Sequence, residues 1–174
     1  MTPSPFPFSI APQNEDERFM IEALKEAWKA FQKGEVPVGA VIVHEGRVIA
    51  RGHNQVEMLQ DATAHAEMLS ITAAESYFEN WRLAKTVLYC TIEPCCMCAG
   101  AIFLSRIPRL VWGAPDIRHG ANGSFVNVFD KVHPTHKVQV DCHVLQEISA
   151  KLMRDFFQQR RKETSYNLDD ELSC

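Results

Sequence analysis

Residues 86–105, TVLYCTIEPCCMCAGAIFLS, contain the pattern that decides the fold. Thr86 to Ile92 is apolar and rich in β-branched residues, which predicts a buried strand. Pro94 suits the opening of a helix, where its missing N–H is not needed, so a helix is predicted over Cys95 to Ser105. Because Cys98 follows Cys95 by three residues, both thiols should lie on one face at the start of this helix.

Outward from this segment, helical and strand patterns alternate along the chain. Apolar residues at helical spacing predict helices, and short runs rich in β-branched residues predict strands. The further elements are a helix that Asn14 caps and Gly34 ends, strands over Val36 to Val43 and Arg47 to Ala50 that Glu45-Gly46 joins as a hairpin, a helix from Asp61 or Thr63 to about Phe78, strands over Leu110 to Gly113 and Val138 to Val144, and a last helix from Gln146 to about Lys162. This alternation predicts an α/β fold of three layers, with a mixed sheet covered by helices on both faces.

Length and composition indicate one domain. The chain has 174 residues, of which 46% are hydrophobic and 23% are charged, a balance typical of a globular protein with a single core. Residues 1–12 hold four prolines and no Lys or Arg, unlike a secretory signal peptide, and no run reaches the roughly 20 apolar residues that cross a bilayer. We therefore expect a cytoplasmic protein with a domain at 14–163, flexible tails at 1–13 and 164–174, and no membrane partner.

Two short motifs together predict a metal site. His65-Ala66-Glu67 is followed, 27 residues after Glu67, by Pro94-Cys95-Cys96-Met97-Cys98, and each motif lies at the start of a predicted helix. One imidazole and two thiolates suit zinc, whereas disulfides between such crowded cysteines are sterically poor. Three protein ligands leave the fourth tetrahedral position open for water, which is typical of catalytic rather than structural zinc. His65, Cys95 and Cys98 are therefore the predicted zinc ligands.

Glu67 is the predicted proton shuttle. It lies two residues beyond His65 near the start of the same helix, from where its carboxylate can reach a water on the metal. The carboxylate would take a proton from that water, deliver it to a ring nitrogen of a base, and later help the amine to leave as ammonia. The alternative is an exposed glutamate that the helix dipole favours at this end.

The two motifs match the signature of zinc-dependent nucleobase deaminases, His-x-Glu followed by Pro-Cys-x-x-Cys. Within that superfamily the chain resembles the bacterial tRNA-specific adenosine deaminases from about Glu15 to Lys162. The matching segments are VPVGAV at 36–41, TAHAEM at 63–68 and EPCCMCAGA at 93–101. The resemblance implies the three-layer α/β/α cytidine-deaminase-like fold, with a central mixed sheet and one Zn²⁺ per subunit.

The resemblance also implies a substrate. Gly113-Ala114-Pro115-Asp116 and Gly120-Ala121-Asn122-Gly123-Ser124 resemble the family's RNA-facing loop. The family enzymes are hydrolases of cyclic amidine C–N bonds that act in RNA editing. The resemblance therefore implies a homodimer that binds a tRNA anticodon stem-loop, deaminates the wobble adenosine at C6 to inosine, and releases ammonia.

Two further residues match substrate-binding positions of the family. Asn54 follows the hairpin and matches the residue whose amide hydrogen-bonds the purine edge, since an amide offers both donor and acceptor. Asp116 matches a residue near the backbone of the flipped nucleotide or its neighbour, where a carboxylate can accept from a ribose hydroxyl. The alternatives are an ordinary turn residue at Asn54 and a solvated loop carboxylate at Asp116.

A basic last helix offers a surface for phosphates. The net charge is −4, so overall attraction does not favour RNA, and binding requires a local basic surface. Over residues 151–162 the last helix carries one acidic residue, Asp155. The same stretch carries five basic residues: Lys151, Arg154, Arg160, Arg161 and Lys162. The alternative is a docked terminal helix with a solvated basic face.

Other functions remain open from the sequence. A free-base or nucleoside deaminase, such as one for guanine or cytosine, would use the same zinc, glutamate and asparagine, but it would need neither the loop at 113–124 nor the basic helix. A non-enzymatic zinc module would need a fourth ligand, for which Cys96 is a poorly directed candidate because it lies about 100° around the helix from Cys95. A Cys-x-x-Cys redox protein would leave the His65 motif unexplained.

Overall fold

The computed structural model describes residues 5–130 and 133–171, with side chains described through residue 163. Its elements follow in the order α1 (Glu15–Gln32), β1 (Gly39–His44), β2 (Arg47–His53), α2 (Val56–Leu59), α3 (Ala66–Phe78), β3 (Thr86–Ile92), α4 (Cys96–Leu104), β4 (Arg109–Ala114), β5 (Gln139–Asp141) and α5 (Gln146–Glu171). Among the described residues, none of the helices combines the length and apolar character that a transmembrane segment needs.

The five strands form one mixed sheet in the order β2-β1-β3-β4-β5. Strand β1 pairs antiparallel with both β2 and β3, whereas the β3–β4 and β4–β5 pairs are parallel. Both parallel pairs need crossover connections, and α4 supplies the first of them between β3 and β4. The predicted mixed sheet is confirmed.

Alternating side chains divide the core between the two faces of the sheet. Ala40 and Ile42 of β1 belong to a cluster with residues of α3 and α4, while Val41 and Val43 belong to a second cluster with residues of α1. Successive strand residues point to opposite faces, so one apolar strand supports a helical layer on each side. The predicted three-layer α/β/α architecture is therefore confirmed, and it brings the starts of α3 and α4 together on one face.

The predicted helix starts were wrong by a few residues, and this difference matters for the site. His65 and Cys95 are the N-cap residues of α3 and α4, with extended backbone at φ −71°, ψ 152° and φ −74°, ψ 173°. Pro94 therefore precedes the cap instead of opening the helix. Because the backbone of each cap residue is extended and not helical, its side chain projects from the end of its helix toward the other helix.

Other element bounds also differ from the prediction. Strand β1 begins at Gly39, past Pro37, which cannot donate to a ladder, and β2 continues to His53. Helix α2 was not predicted, since four residues are too few to show a helical period. Helix α5 continues to Glu171, beyond the predicted end at Lys162, because no Gly or Pro interrupts it.

The predicted N-terminal tail is partly docked on the domain. Residues 1–4 lie outside the described residues, and residues 5–14 contain no helix or strand. Phe6 and Ile10 nevertheless pack against the cluster on the α1 side of the sheet. The bounds of the domain and of the two tails stay a prediction.

A charged cluster fastens the start of α1 to the sheet. The Arg109 guanidinium donates to both oxygens of Asp16 at 2.9 and 2.7 Å and to Asp141 Oδ2 at 2.8 Å. Tyr89 Oη also donates to Asp16 at 2.7 Å. Hydrogen bonding from Arg109 is the main cause that lowers the pKa of Asp16. The cluster therefore joins α1 to β3, β4 and β5.

The Asp16 cluster should make stability depend on pH at the acidic end. Since the folded-state pKa of Asp16 is lowered, its charge stabilises the fold above its unfolded pKa of about 3.9, and this contribution is lost as pH falls through the folded value. Asp16→Asn should lower the free energy of unfolding by about 1–3 kcal/mol at pH 7 and by much less near pH 2. Urea denaturation at both pH values measures this difference.

Asp155→Asn is the control, because its ion pair with Lys151 is exposed and should contribute less than about 1 kcal/mol. Equal losses for Asp16→Asn at both pH values would refute the electrostatic account of the cluster.

Candidate active site

The three predicted ligands meet between the starts of α3 and α4. His65 Nδ1 lies 3.7 Å from Cys95 Sγ and 3.5 Å from Cys98 Sγ. Their donor atoms lie within 4.8 Å of one another. Among the described residues, no other group of three or more His, Cys, Asp or Glu side chains could hold a metal ion. Cys98 is fully buried, whereas His65 and Cys95 are half-buried. The structure thus brings His65 together with two cysteines that lie 30 and 33 positions further along the sequence.

The donor set fits zinc. Bond lengths of about 2.0–2.1 Å to nitrogen and 2.3 Å to sulfur at a tetrahedral angle place the two donor atoms about 3.6 Å apart. The observed distances from His65 Nδ1 to the two sulfurs, 3.7 and 3.5 Å, bracket that value. Both nitrogen–sulfur distances therefore fit a zinc ion held by these three residues.

The two thiols have opposite titration behaviour. The hydrogen bond from Cys98 is the main cause that lowers the pKa of Cys95 to about 4, with His65 as a further contributor. The pKa of Cys98 is raised because it shares its proton with Cys95 and because it is buried. The pKa of His65 is raised chiefly by its hydrogen bond with Cys95. The hydrogen bonds from Cys98 and His65 thus favour the thiolate form of Cys95, and a bound metal ion would deprotonate the second thiol.

Glu67 lies in the first turn of α3 and is buried, with 4% of its surface exposed. Burial is the main cause that raises its pKa to about 7, and the neighbouring charge of His65 opposes this rise. Such a carboxyl group exchanges a proton at neutral pH, as a general acid and base must. The alternative of an exposed, merely dipole-favoured glutamate is wrong, because the side chain is buried.

The site lies in a cleft of about 990 Å³. Five of the six predicted site residues line it: Asn54, His65, Glu67, Cys95 and Asp116. The sixth, Cys98, is buried beneath them with no exposed surface. The cleft therefore connects the candidate metal centre with both predicted substrate-binding residues.

Asn54 is held by Glu35, a residue that the sequence analysis did not single out. Asn54 is 7% exposed, and its Nδ2 donates to Glu35 Oε2 at 3.1 Å. Glu35 also accepts from the backbone N–H groups of Glu57 and Met58, at 3.3 and 2.7 Å. Its only signal in the sequence was its place next to the matching segment at 36–41. The side chain thus links Asn54 to the start of α2.

Asp116 helps to fold its own loop. Its Oδ1 accepts from the backbone N–H groups of Arg118 and His119 at 3.0 and 3.2 Å, which stabilises a turn. Its other oxygen, Oδ2, lies 3.4 Å from His119 Nδ1. The side chain is 28% exposed and lines the cleft. Its predicted contact with RNA remains a proposal beside this structural part.

Glu93 fixes the loop that the sequence analysis associated with RNA. This buried carboxylate accepts from the backbone N–H groups of Asp116 at 3.2 Å, Asn122 at 2.7 Å and Ser124 at 3.2 Å, and also from the Ser124 hydroxyl. Gly120 packs against Glu93 with no room for a Cβ atom. Because Glu93 directly precedes Pro94-Cys95, the loop is anchored to the candidate metal centre.

The remaining cysteines lie away from the ligand group. Cys96 and Cys142 are exposed, and Cys90 is buried in the core. Cys96 is not part of the group that could hold a metal, which agrees with its direction around α4. Cys174 lies outside the described residues.

The predicted basic helix presents only part of its charge to the cleft. Arg154 and Arg161 of α5 line the cleft, together with Arg118 from the loop after β4. Lys151 instead pairs with Asp155 at 2.6 Å, and Arg160 with Glu163 at 3.4 Å. Three arginines therefore line the same cleft as His65 and Glu67, together with acidic residues such as Glu57 and Glu147.

Comparison with known proteins agrees with this geometry. Residues 13–114 match the model of the cytidine and deoxycytidylate deaminase zinc-binding region. Fold and site thus define a zinc-dependent deaminase of this class, and the donors His65, Cys95 and Cys98 agree with one zinc ion per subunit.

Individual relatives narrow the class. A tRNA-specific adenosine deaminase of Streptococcus pyogenes is 44% identical over 156 residues, covering 90% of this chain and 96% of the relative. The chloroplastic tRNA(adenine(34)) deaminase of Arabidopsis thaliana is 49% identical over 161 residues, covering 83% of this chain, which spans only 12% of that longer protein. A structure from a study of A-to-I editing by tRNA:A34 deaminases at the wobble position is 44% identical, with a TM-score of 0.74, covering 78% of this chain and 98% of that one. The chain belongs to the family of the tRNA-specific adenosine deaminases.

Proposed function

We propose that this protein deaminates adenosine to inosine at the wobble position of a tRNA anticodon, as a hydrolase that consumes water and releases ammonia. The observation that carries the proposal is the buried Glu67 carboxyl group with a pKa of about 7, next to three zinc donors in a cleft that three arginines help to line. Membership in the family of tRNA-specific adenosine deaminases supports the choice of substrate.

Each residue at the base of the cleft has a part in the proposed reaction. Zinc held by His65, Cys95 and Cys98 supplies, when bound, the activation of water at neutral pH. Glu67 takes up the proton that the attacking water loses and passes it to the purine ring nitrogen. As the C6–N6 bond breaks, the same carboxylate takes the proton of the new C6 hydroxyl and gives it to the amine, which leaves as ammonia while the C6 carbonyl forms. The net change is replacement of the amino group by oxygen from water.

Two residues higher in the cleft bind the nucleotide in this proposal. Asn54 offers its amide to the purine edge, and its burial keeps that amide rigid. Asp116 accepts from a ribose hydroxyl or holds the loop that does so. Both line the same cleft as Glu67, which makes simultaneous contact with one nucleotide possible.

The arginines at the cleft should contact the RNA backbone. Arg154→Gln combined with Arg161→Gln should raise KM for an anticodon stem-loop and lower the slope of log KM against log salt by about 1 to 2, because two phosphate contacts are lost. The value of kcat and the zinc content should stay the same, since neither arginine belongs to the metal-donor group or to the proposed proton shuttle. Lys151→Gln on the same helix is the control, because its ammonium pairs with Asp155. An unchanged salt slope in the double variant would refute the contact.

The proposal extends to assembly and location. We propose a homodimer in the cytoplasm, on the strength of the resemblance to bacterial enzymes of this family; the chloroplastic relative shows that another compartment also occurs among relatives. Light scattering coupled to gel filtration measures the mass of the assembly, and a mass of one chain would refute the dimer.

A substrate panel separates this function from that of a free-base deaminase. Purified enzyme is offered an anticodon stem-loop with a wobble adenosine, and in parallel free adenosine, guanine and cytosine, while released ammonia is measured. We expect release from the stem-loop only. Release from a free base alone would overturn the proposed substrate but leave the chemistry of Glu67 in place.

A further inference from the structure

Glu35 is a buried carboxylate in the cleft with no part in the reaction described above. It lies in the turn between α1 and β1, has 1% of its surface exposed and lines the cleft beside Asn54. Burying a charged group is unfavourable unless hydrogen bonds compensate it. Its contacts therefore indicate what the charge achieves.

Three N–H groups converge on the Glu35 carboxylate. Oε2 accepts from Asn54 Nδ2 at 3.1 Å and from the Glu57 backbone at 3.3 Å, and Oε1 accepts from the Met58 backbone at 2.7 Å. A carboxylate can only accept, so Asn54 must turn its Nδ2 atom, and not its Oδ1 atom, toward Glu35. Glu35 thus decides between the two amide orientations of Asn54.

The orientation of the Asn54 amide determines which of its polar atoms remain available to a ligand in the cleft. With one Nδ2 hydrogen engaged, the Oδ1 acceptor and the second Nδ2 hydrogen have fixed positions. A flipped amide would exchange donor and acceptor, and a base that matched the first arrangement would then face an unpaired polar atom, which weakens binding.

We infer that Glu35 is a positioning residue, which sets the orientation of the Asn54 amide and thereby contributes to the selection of adenosine. This inference rests on the proposed function, in which Asn54 contacts the purine. Glu35 itself touches no reacting atom.

A purely structural part for Glu35 is the competing explanation. Helix α2 has Gln55 as its N-cap residue without a side-chain hydrogen bond, so Glu35 supplies the missing acceptor for two of its first N–H groups. Loss of this cap would disturb α2 whether or not Asn54 contacted a base. The test must therefore distinguish an effect through Asn54 from an effect through α2.

Glu35→Gln is the informative substitution because it keeps the shape and changes one acceptor into a donor. If the Gln oxygen keeps the Met58 N–H, its Nε2 atom takes the place of Oε2, so the Glu57 N–H loses its acceptor and the Asn54 amide must flip to offer Oδ1. We expect kcat/KM for the adenosine stem-loop to fall about 10- to 100-fold, the cost of one or two mispaired hydrogen bonds. Zinc content and melting temperature should remain near those of the wild type.

A double-mutant cycle with Asn54→Ala decides the matter. If Glu35 acts through Asn54, Glu35→Gln should change kcat/KM less than about 2-fold in the Asn54→Ala background. The effects of two coupled substitutions on kcat/KM do not add as free energies. The same fold-loss in both backgrounds would overturn the inference and leave Glu35 as a cap of α2. If the wild type deaminated only a free base, the cycle would be measured on that base, so failure of the substrate proposal and failure of this inference are separate results.

Discussion

Glu67→Ala is expected to lose deamination while retaining one zinc ion per chain. General acid and base catalysis contributes about 10²- to 10⁴-fold in rate, and Glu67 is proposed both to accept and to donate protons in the reaction. Its carboxyl group has a pKa near 7 because it is buried, a value suited to that task and lost with the side chain. The three zinc donors remain, so metal content, measured by elemental analysis, should equal that of the wild type.

Two further variants sharpen this prediction. Glu67→Gln preserves the shape of the buried side chain and should be as inactive as Glu67→Ala, which excludes a packing defect as the cause. Glu75→Gln, two turns further along α3 and outside the cleft lining, should keep full activity. Turnover of Glu67→Ala within tenfold of the wild type, at full zinc content, would refute the proton-shuttle role.

Cys98→Ala is expected to lose both zinc and turnover. Cys98 Sγ lies 3.5 Å from His65 Nδ1 and has no exposed surface, so water cannot easily replace it as a ligand. Two protein ligands bind zinc far more weakly than three, and the water activation that zinc supplies disappears with it. Elemental analysis after gel filtration, with turnover measured on the same sample, tests both losses.

The adjacent Cys96 provides a matched control. It has the same chemistry, lies two residues away and is exposed outside the donor group. Cys96→Ala should therefore keep zinc and activity. Zinc loss in Cys96→Ala together with zinc retention in Cys98→Ala would show that the ligand set has been assigned to the wrong thiol.

The sequence predicted the grouping of the donors because each motif lies beside a strong signal for the start of a helix. Pro94 and the apolar strand before it located one helix, and the run of small and apolar residues after His65 located the other. What could not be predicted was that His65 and Cys95 would be cap residues outside their helices, since moving the start of a helix by a few residues leaves the helical period unchanged.

The supporting carboxylates were not predictable for a different reason. Glu35 reaches a side chain 19 positions away, and Glu93 reaches the backbone of Asn122, 29 positions away. The Glu35 contact depends on the register of the β1–β2 hairpin, in which Gly39 pairs with His53, and the Glu93 contact depends on the parallel pairing of β3 with β4. Because periodicity carries no information about register or about which strands pair, these two residues looked like ordinary charged loop positions.

Glu35, Glu67 and Glu93 show how burial serves different ends in one cleft. Glu35 and Glu93 each accept several N–H groups and thereby hold Asn54 and the loop at 116–124 in place. For Glu67, burial is the leading influence, and its pKa rises to about 7. Two buried carboxylates thus maintain the shape of the site, while the third is prepared to exchange a proton.

The most direct test of the central claim is to incubate the zinc-loaded enzyme with a full-length tRNA transcript that has adenosine at the wobble position, and to map inosine along the product by sequencing its cDNA. We predict conversion at the wobble adenosine and at no other adenosine, and no conversion by Glu67→Ala. Unconverted wobble adenosine, or inosine spread over other loops, would contradict the proposed function.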